Sequence, residues 1–182
     1  MKKINFKEEY DLTFLWVGTN DVLTKTSFIT SPIKIIFKQK KAENIEEFKK
    51  NYKKIIEKLD NISKKIYVIS PLILGENIES VWNKNLKVLS GEIKKIIKEN
   101  KKIEYIDIQK IFFNYLSSKD TSDYMLETPG IISDYLAKKP EKIKQISKKR
   151  HLYLTIDGVH LNKKGAGIVA DIIYKKVKNE KN

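Results

Sequence analysis

Asp157 and His160 stand three residues apart in the segment Thr155-Ile156-Asp157-Gly158-Val159-His160-Leu161-Asn162. In a turn, that separation lets the carboxylate accept from one imidazole nitrogen while the other nitrogen faces outward. Such a contact fixes the ring's tautomer and its direction. A histidine held this way suits general-base work, and acyl transfer needs it together with a nucleophile and donors for the developing oxyanion. Near the other end of the chain, Gly18-Thr19-Asn20-Asp21 follows a short apolar run. Taken singly, each feature has a plainer reading. An aspartate just before a helix is often a cap, and Asn-Asp after a strand is ordinary turn chemistry. Their order, with Leu161-Asn162 and Gly165-Ala166 beside the histidine, is more specific than either alone.

Together the two segments resemble two conserved blocks of the SGNH/GDSL hydrolase family. Thr13–Asp21 is similar to that family's strand-to-GxND passage, and Leu154–Ala166 to its histidine block. The resemblance runs from about Tyr10 to Val177. It implies that His160 is the base, that Asp157 orients it, and that Asn20, in the block opened by Gly18, donates to the oxyanion. It also implies an ester substrate (a lipid, a small ester or an acetylated sugar) and neither cofactor nor metal.

In the family the nucleophile sits in a Gly-Asp-Ser block ahead of the GxND block. Seventeen residues precede Gly18, and none is a serine. The glycine block that supplies another oxyanion donor is also absent, so the chain is expected to lack the nucleophile and to be inactive alone. Ser70, which follows a strand, is the best substitute, but Ser70-Pro71 matches the family's proline-containing segment instead. Ser27 and Ser31 follow Asp21 on a loop. The alternative is a non-catalytic remnant or interaction module of the same fold.

The elements that must position these residues follow from periodicity. Leu12–Val17 is an apolar run ending at Gly18, as a buried strand would. Ile45, Phe48, Tyr52, Ile55, Ile56 and Leu59 have helical spacing, with Asn44 as N-cap and Glu46 and Glu47 in the first turn. Ile66–Ile69 is the next strand. Ile78, Trp82, Leu86, Leu89, Ile93, Ile96 and Ile97 predict a second helix, and Ile103–Ile108 a third strand. This alternation predicts α/β architecture with a parallel sheet. The resemblance makes it a flavodoxin-like three-layer α/β/α fold of five strands, missing its first two. Leu12–Val17 would then be an exposed edge, open to self-association or to a complementing N-terminal fragment. Residues 112–150 read as a helical excursion, either lid-like over the strand ends or a decoration of the sheet edge, with short helices at Ile131–Leu136 and Glu141–Lys148. A last helix begins near Asn162 or Lys163 and runs to about Val177. No linker divides residues 1–182, which read as one domain.

Composition narrows the partners. The chain has 182 residues, 41% hydrophobic and 33% charged, which suits a globular domain with a real core. It has no cysteine, and only His151 and His160 could offer imidazole, so a multi-histidine metal site is not expected. The net charge of +14 invites a nucleic-acid reading. Only Arg150 among the 37 basic residues is arginine, the usual reader of phosphate and base edges, so the lysines read as solvated helix faces. No apolar stretch is long enough for a transmembrane helix, and Met1–Asp11 does not read as a signal peptide. The chain as written therefore reads as cytoplasmic.

Overall fold

The computed structural model describes residues 7–26, 42, 44–125 and 140–180. The fold is α/β, built on a parallel three-stranded sheet flanked by helices. The chain divides into two compact units, Met1–Pro71 with Asn85–Asp107, and Leu72–Lys84 with Ile108–Asn182.

The first unit holds the sheet: β1 (Tyr10–Trp16), β2 (Ser63–Ile69) and β3 (Ile103–Ile106), in the order β1-β2-β3. Leu15 pairs with Val68, and Val68 with Tyr105. Central β2 reads Ile-Tyr-Val-Ile, and all four residues are buried, as a strand covered on both faces requires. Phe14 stacks on Tyr67 with ring centroids 5.1 Å apart. Strand β1 has β2 as its one partner among the described residues, and Trp16 and Val17 are exposed at its end.

Helix α1 (Thr19–Thr26) follows Gly18 directly. Turn chemistry at Asn20-Asp21 gave no hint of it, because eight residues are too few to show a helical period. Helix α2 (Ile45–Asp60) starts where expected: the Asn44 side chain accepts from the Glu47 amide, and Phe48, Tyr52, Ile56 and Leu59 form its buried stripe. Helix α3 (Val81–Ile97) lies beside α2, with the Lys49 ammonium 3.6 Å from the Glu92 carboxylate, and buries Leu86, Leu89, Ile93 and Ile97. Ile78 falls outside this helix. Ser80 caps it instead, its hydroxyl accepting from the Asn83 amide at 3.3 Å, so the helix cannot begin earlier.

The second unit holds α4 (Ile108–Leu116), α5 (Pro140–Lys149) and α6 (Lys163–Asn179). The third strand is shorter than the sequence predicts. Ile106 and Ile108 alternate like strand residues, yet Ile108, Phe112 and Leu116 are spaced by four and buried together, and the helical period wins. Helix α5 coincides with the predicted Glu141–Lys148, with Pro140 at its first position, where no amide is needed. The stretch Ile131–Leu136 lies outside the described residues. Among the described residues no helix is long and apolar enough to cross a membrane.

Candidate active site

In the second unit the chain folds Thr155–Leu161 into a tight loop. Thr155 bridges Leu161 in antiparallel fashion, and the Ile156 amide donates to the His160 carbonyl at 2.8 Å. Gly158 sits at the loop's apex with φ +84°, a conformation that favours glycine. Its carbonyl accepts from the Gly75 amide at 2.7 Å, which anchors the apex to the segment after β2.

Asp157 and His160 are brought together by this loop. Asp157 is buried, and its Oδ2 lies 2.7 Å from His160 Nδ1. Its Oδ1 accepts from the Val159 amide at 2.9 Å and the His160 amide at 2.7 Å. Burial by itself would raise the carboxyl, but the His160 ring and the two amides outweigh it and hold Asp157 below its ordinary value. The carboxylate therefore accepts and Nδ1–H donates, an arrangement that in the neutral ring leaves the lone pair on Nε2. The His160 side chain is 71% exposed, so a reacting group can approach it.

Asn162 locks the loop to α6. Its Oδ1 accepts from the Lys164 and Gly165 amides, and its Nδ2 donates to the Tyr153 and Thr155 carbonyls. One side chain thus caps the helix and ties down the strand leading to Asp157. Arg150 adds a bond to the Ile156 carbonyl at 3.0 Å while its guanidinium lies over the Tyr124 ring.

Gly18 and Asn20 lie in the first unit. Gly18 has φ +113°, and a Cβ there would come within 3.2 Å of both Leu89 and Pro71. Asn20 is exposed in the first turn of α1. Asp21 ties that turn down, its Oδ1 accepting from the Ala42 amide at 3.2 Å. Ser70 is fully buried just after β2, its amide donating to the Ile106 carbonyl at 2.9 Å. Ser27 and Ser31 lie outside the described residues. Among the described residues no cluster of three or more metal-ligating side chains is formed.

Sequence reasoning missed Glu76. It is fully buried and binds the strand just before Asp157. The one available signal was a charge directly after the apolar run Leu72-Ile73-Leu74-Gly75.

The sequence matches the model of the GDSL-like lipase/acylhydrolase family over residues 1–173, and the chain belongs to that family. Among solved structures it is similar to an alpha/beta hydrolase enzyme from the metagenome of Lake Arreo, Spain, at 16% identity and a TM-score of 0.54. That match covers 88% of this chain and 56% of the other. A catalytic mutant of an acetylxylan esterase from Geobacillus stearothermophilus gives a TM-score of 0.58 at 16% identity, covering 92% of this chain and 59% of the other. The acetyl xylan esterase AlAXEase gives 0.58 at 23% identity, with coverage of 92% and 67%. These likenesses are of fold, and the chain spans less than two thirds of the first two structures. No curated protein matches the sequence.

Proposed function

We propose that this chain is part of a serine ester hydrolase acting on acyl esters, in which His160 is the base, Asp157 orients it and Asn20 donates to the oxyanion. The observation that carries this reading is the Asp157–His160 pair, with its 2.7 Å contact to Nδ1 and its exposed ring. In the reaction a serine oxygen attacks the acyl carbon as His160 Nε2 takes its proton. The negative charge collects on the carbonyl oxygen, where the Asn20 amide donates. His160 then returns the proton to the leaving alcohol, and water repeats the sequence on the acyl-enzyme. The substrate is left at the level of an acyl ester: lipid, small ester or acetylated sugar.

In the printed sequence no serine precedes Gly18, where the resemblance would place the nucleophile. The 182-residue chain alone is expected neither to hydrolyse p-nitrophenyl acetate above a His160→Ala control nor to react with a fluorophosphonate. Stoichiometric labelling at a mapped serine would overturn this and name the substitute. Reading the coding DNA ahead of Met1 for an in-frame Gly-Asp-Ser segment separates this hydrolase from a non-catalytic module of the same fold. In a protein carrying that segment, Asn20→Ala should lower kcat by about 10²–10³-fold with a smaller change in KM. An unchanged kcat would remove Asn20 from the oxyanion role.

The β1 edge carries the proposal for partners. Leu12–Val17 has neither charge nor proline, the usual protections against edge pairing. The isolated chain is expected to self-associate there or to bind a fragment carrying further strands. Light scattering with hydrogen exchange checks this. A monomer with strongly protected amides throughout Leu12–Val17 would contradict it.

A further inference from the structure

Glu76 is fully buried, yet its partners are neutral backbone and hydroxyl donors. The Tyr153 amide donates to Oε2 at 2.6 Å. The Leu154 amide at 2.8 Å, the Thr155 amide at 2.7 Å and the Thr155 hydroxyl at 2.7 Å all donate to Oε1. Three successive amides thus converge on one carboxylate. A carboxyl group removed from water is costly unless its acceptor sites are filled, and four donors do that here. Ordinary loop closure does not require a buried acid, because neutral side chains can hold a turn.

What Glu76 holds is the segment that enters the Asp157 loop. Thr155 carries the contact one step further. Its hydroxyl hydrogen is committed to Glu76, so its oxygen is turned to accept from the Gly158 amide, at 3.2 Å. Gly158 is the loop apex between Asp157 and His160. The same segment is held from behind by Ser147, whose hydroxyl donates to the Thr155 carbonyl at 3.0 Å. Glu76 itself is placed by Asn83, which takes the Leu74 amide at 3.0 Å and gives its own amide hydrogens to the Gly75 and Asn77 carbonyls.

We infer that Glu76 is a positioning residue whose buried carboxylate, through the Tyr153–Thr155 amides and the Thr155 hydroxyl, sets the Asp157–His160 pair in its hydrogen-bonded geometry. The inference rests on the reading of that pair as acid and base, and its test does not depend on hydrolysis. A Glu76→Gln side chain keeps the shape but turns an NH₂ toward one of the amides, so a donor faces a donor.

The measurement is the imidazole itself, by proton and ¹⁵N spectra of His160 in the full chain. In the parent, the Nδ1 proton bonded to Asp157 should give a far-downfield, slowly exchanging resonance, with ¹⁵N shifts of the Nδ1–H tautomer. In Glu76→Gln that proton should exchange with water faster by about tenfold or more, the scale of one lost charge-assisted hydrogen bond, and the ring should become a mixture of tautomers. Leu116→Ala, a buried truncation in the same unit, controls for general loss of stability and should leave the resonance in place. Should Glu76→Gln fail to fold, Thr155→Val and Thr155→Ser decide the matter. The valine should show the same change more weakly, and the serine should restore the parent spectrum. A His160 resonance unchanged in Glu76→Gln, or in Thr155→Val where that is the variant that folds, overturns the inference. So does an equal change in Leu116→Ala. Failure of the catalytic reading shows elsewhere, as hydrolysis that persists in Asp157→Asn of a protein that supplies the Gly-Asp-Ser segment.

Discussion

In a protein that supplies the Gly-Asp-Ser segment, Asp157→Asn is expected to lower kcat by about 10⁴-fold, with KM changed far less. The size follows from the tautomer. An asparagine at this position can still accept from the Val159 and His160 amides through one oxygen, so the loop keeps its shape. Its NH₂ then points at Nδ1, which must present a lone pair. The ring proton moves to Nε2, and the nitrogen that should take the serine proton already carries one. Binding is little affected, because the change sits behind the ring. Steady-state kinetics on a p-nitrophenyl ester, beside a far-ultraviolet spectrum showing an intact fold, check the result. A kcat within tenfold of the parent would mean that Asp157 caps the loop and does no more.

The reach of the sequence reading follows the distance over which each contact is made. Asp157 and His160 are three residues apart, so their contact is written in one short segment and could be expected from it. The cap Asn44 acts within three residues of itself and was legible for the same reason, whereas Asn162 was read only as a possible start of the last helix and also reaches back seven and nine residues. Strand β2 announced itself because burial on both faces demands a continuous apolar run. Glu76 was not legible. Its partners lie 77 to 79 residues away, and a single glutamate after an apolar run looks like any solvated charge. Helix α1 was missed because its eight residues are too few to show a helical period. The start of α4 was misplaced because Ile106 and Ile108 satisfy a period of two as well as Ile108, Phe112 and Leu116 satisfy a period near four. The roles proposed for Gly18 and Asn20 rest on the family blocks alone, because spacing by itself suggests neither.

Two glycines of α6, two residues apart, are expected to respond to the same substitution with opposite signs. Alanine is the better helix former by roughly 0.5–1 kcal/mol and also restricts the unfolded chain, so Gly→Ala inside a helix stabilises by default. Gly167 is exposed, and a Cβ there meets nothing within 4 Å. Gly167→Ala should raise stability by about 0.5–1 kcal/mol. Gly165 is buried in the first turn, its amide bound to the Asn162 cap. A Cβ there would press on the Leu154 carbonyl oxygen, and would lie 2.9 Å from Leu161 Cδ2 and 3.2 Å from the Leu154 carbonyl carbon. The obstacle is backbone, not the end of a flexible side chain. Leu154 cannot withdraw easily, since its carbonyl accepts from the Asn162 amide at 2.9 Å and its own amide is held by Glu76 at 2.8 Å. Overpacking against so fixed a neighbour should outweigh the helix propensity, and Gly165→Ala should cost about 2 kcal/mol or more. Urea midpoints of the two variants measured side by side test both signs. A Gly165→Ala protein as stable as the parent would mean that α6 can lift from the Leu154 strand, and that the loop carrying Asp157 and His160 is held less tightly than its contacts require.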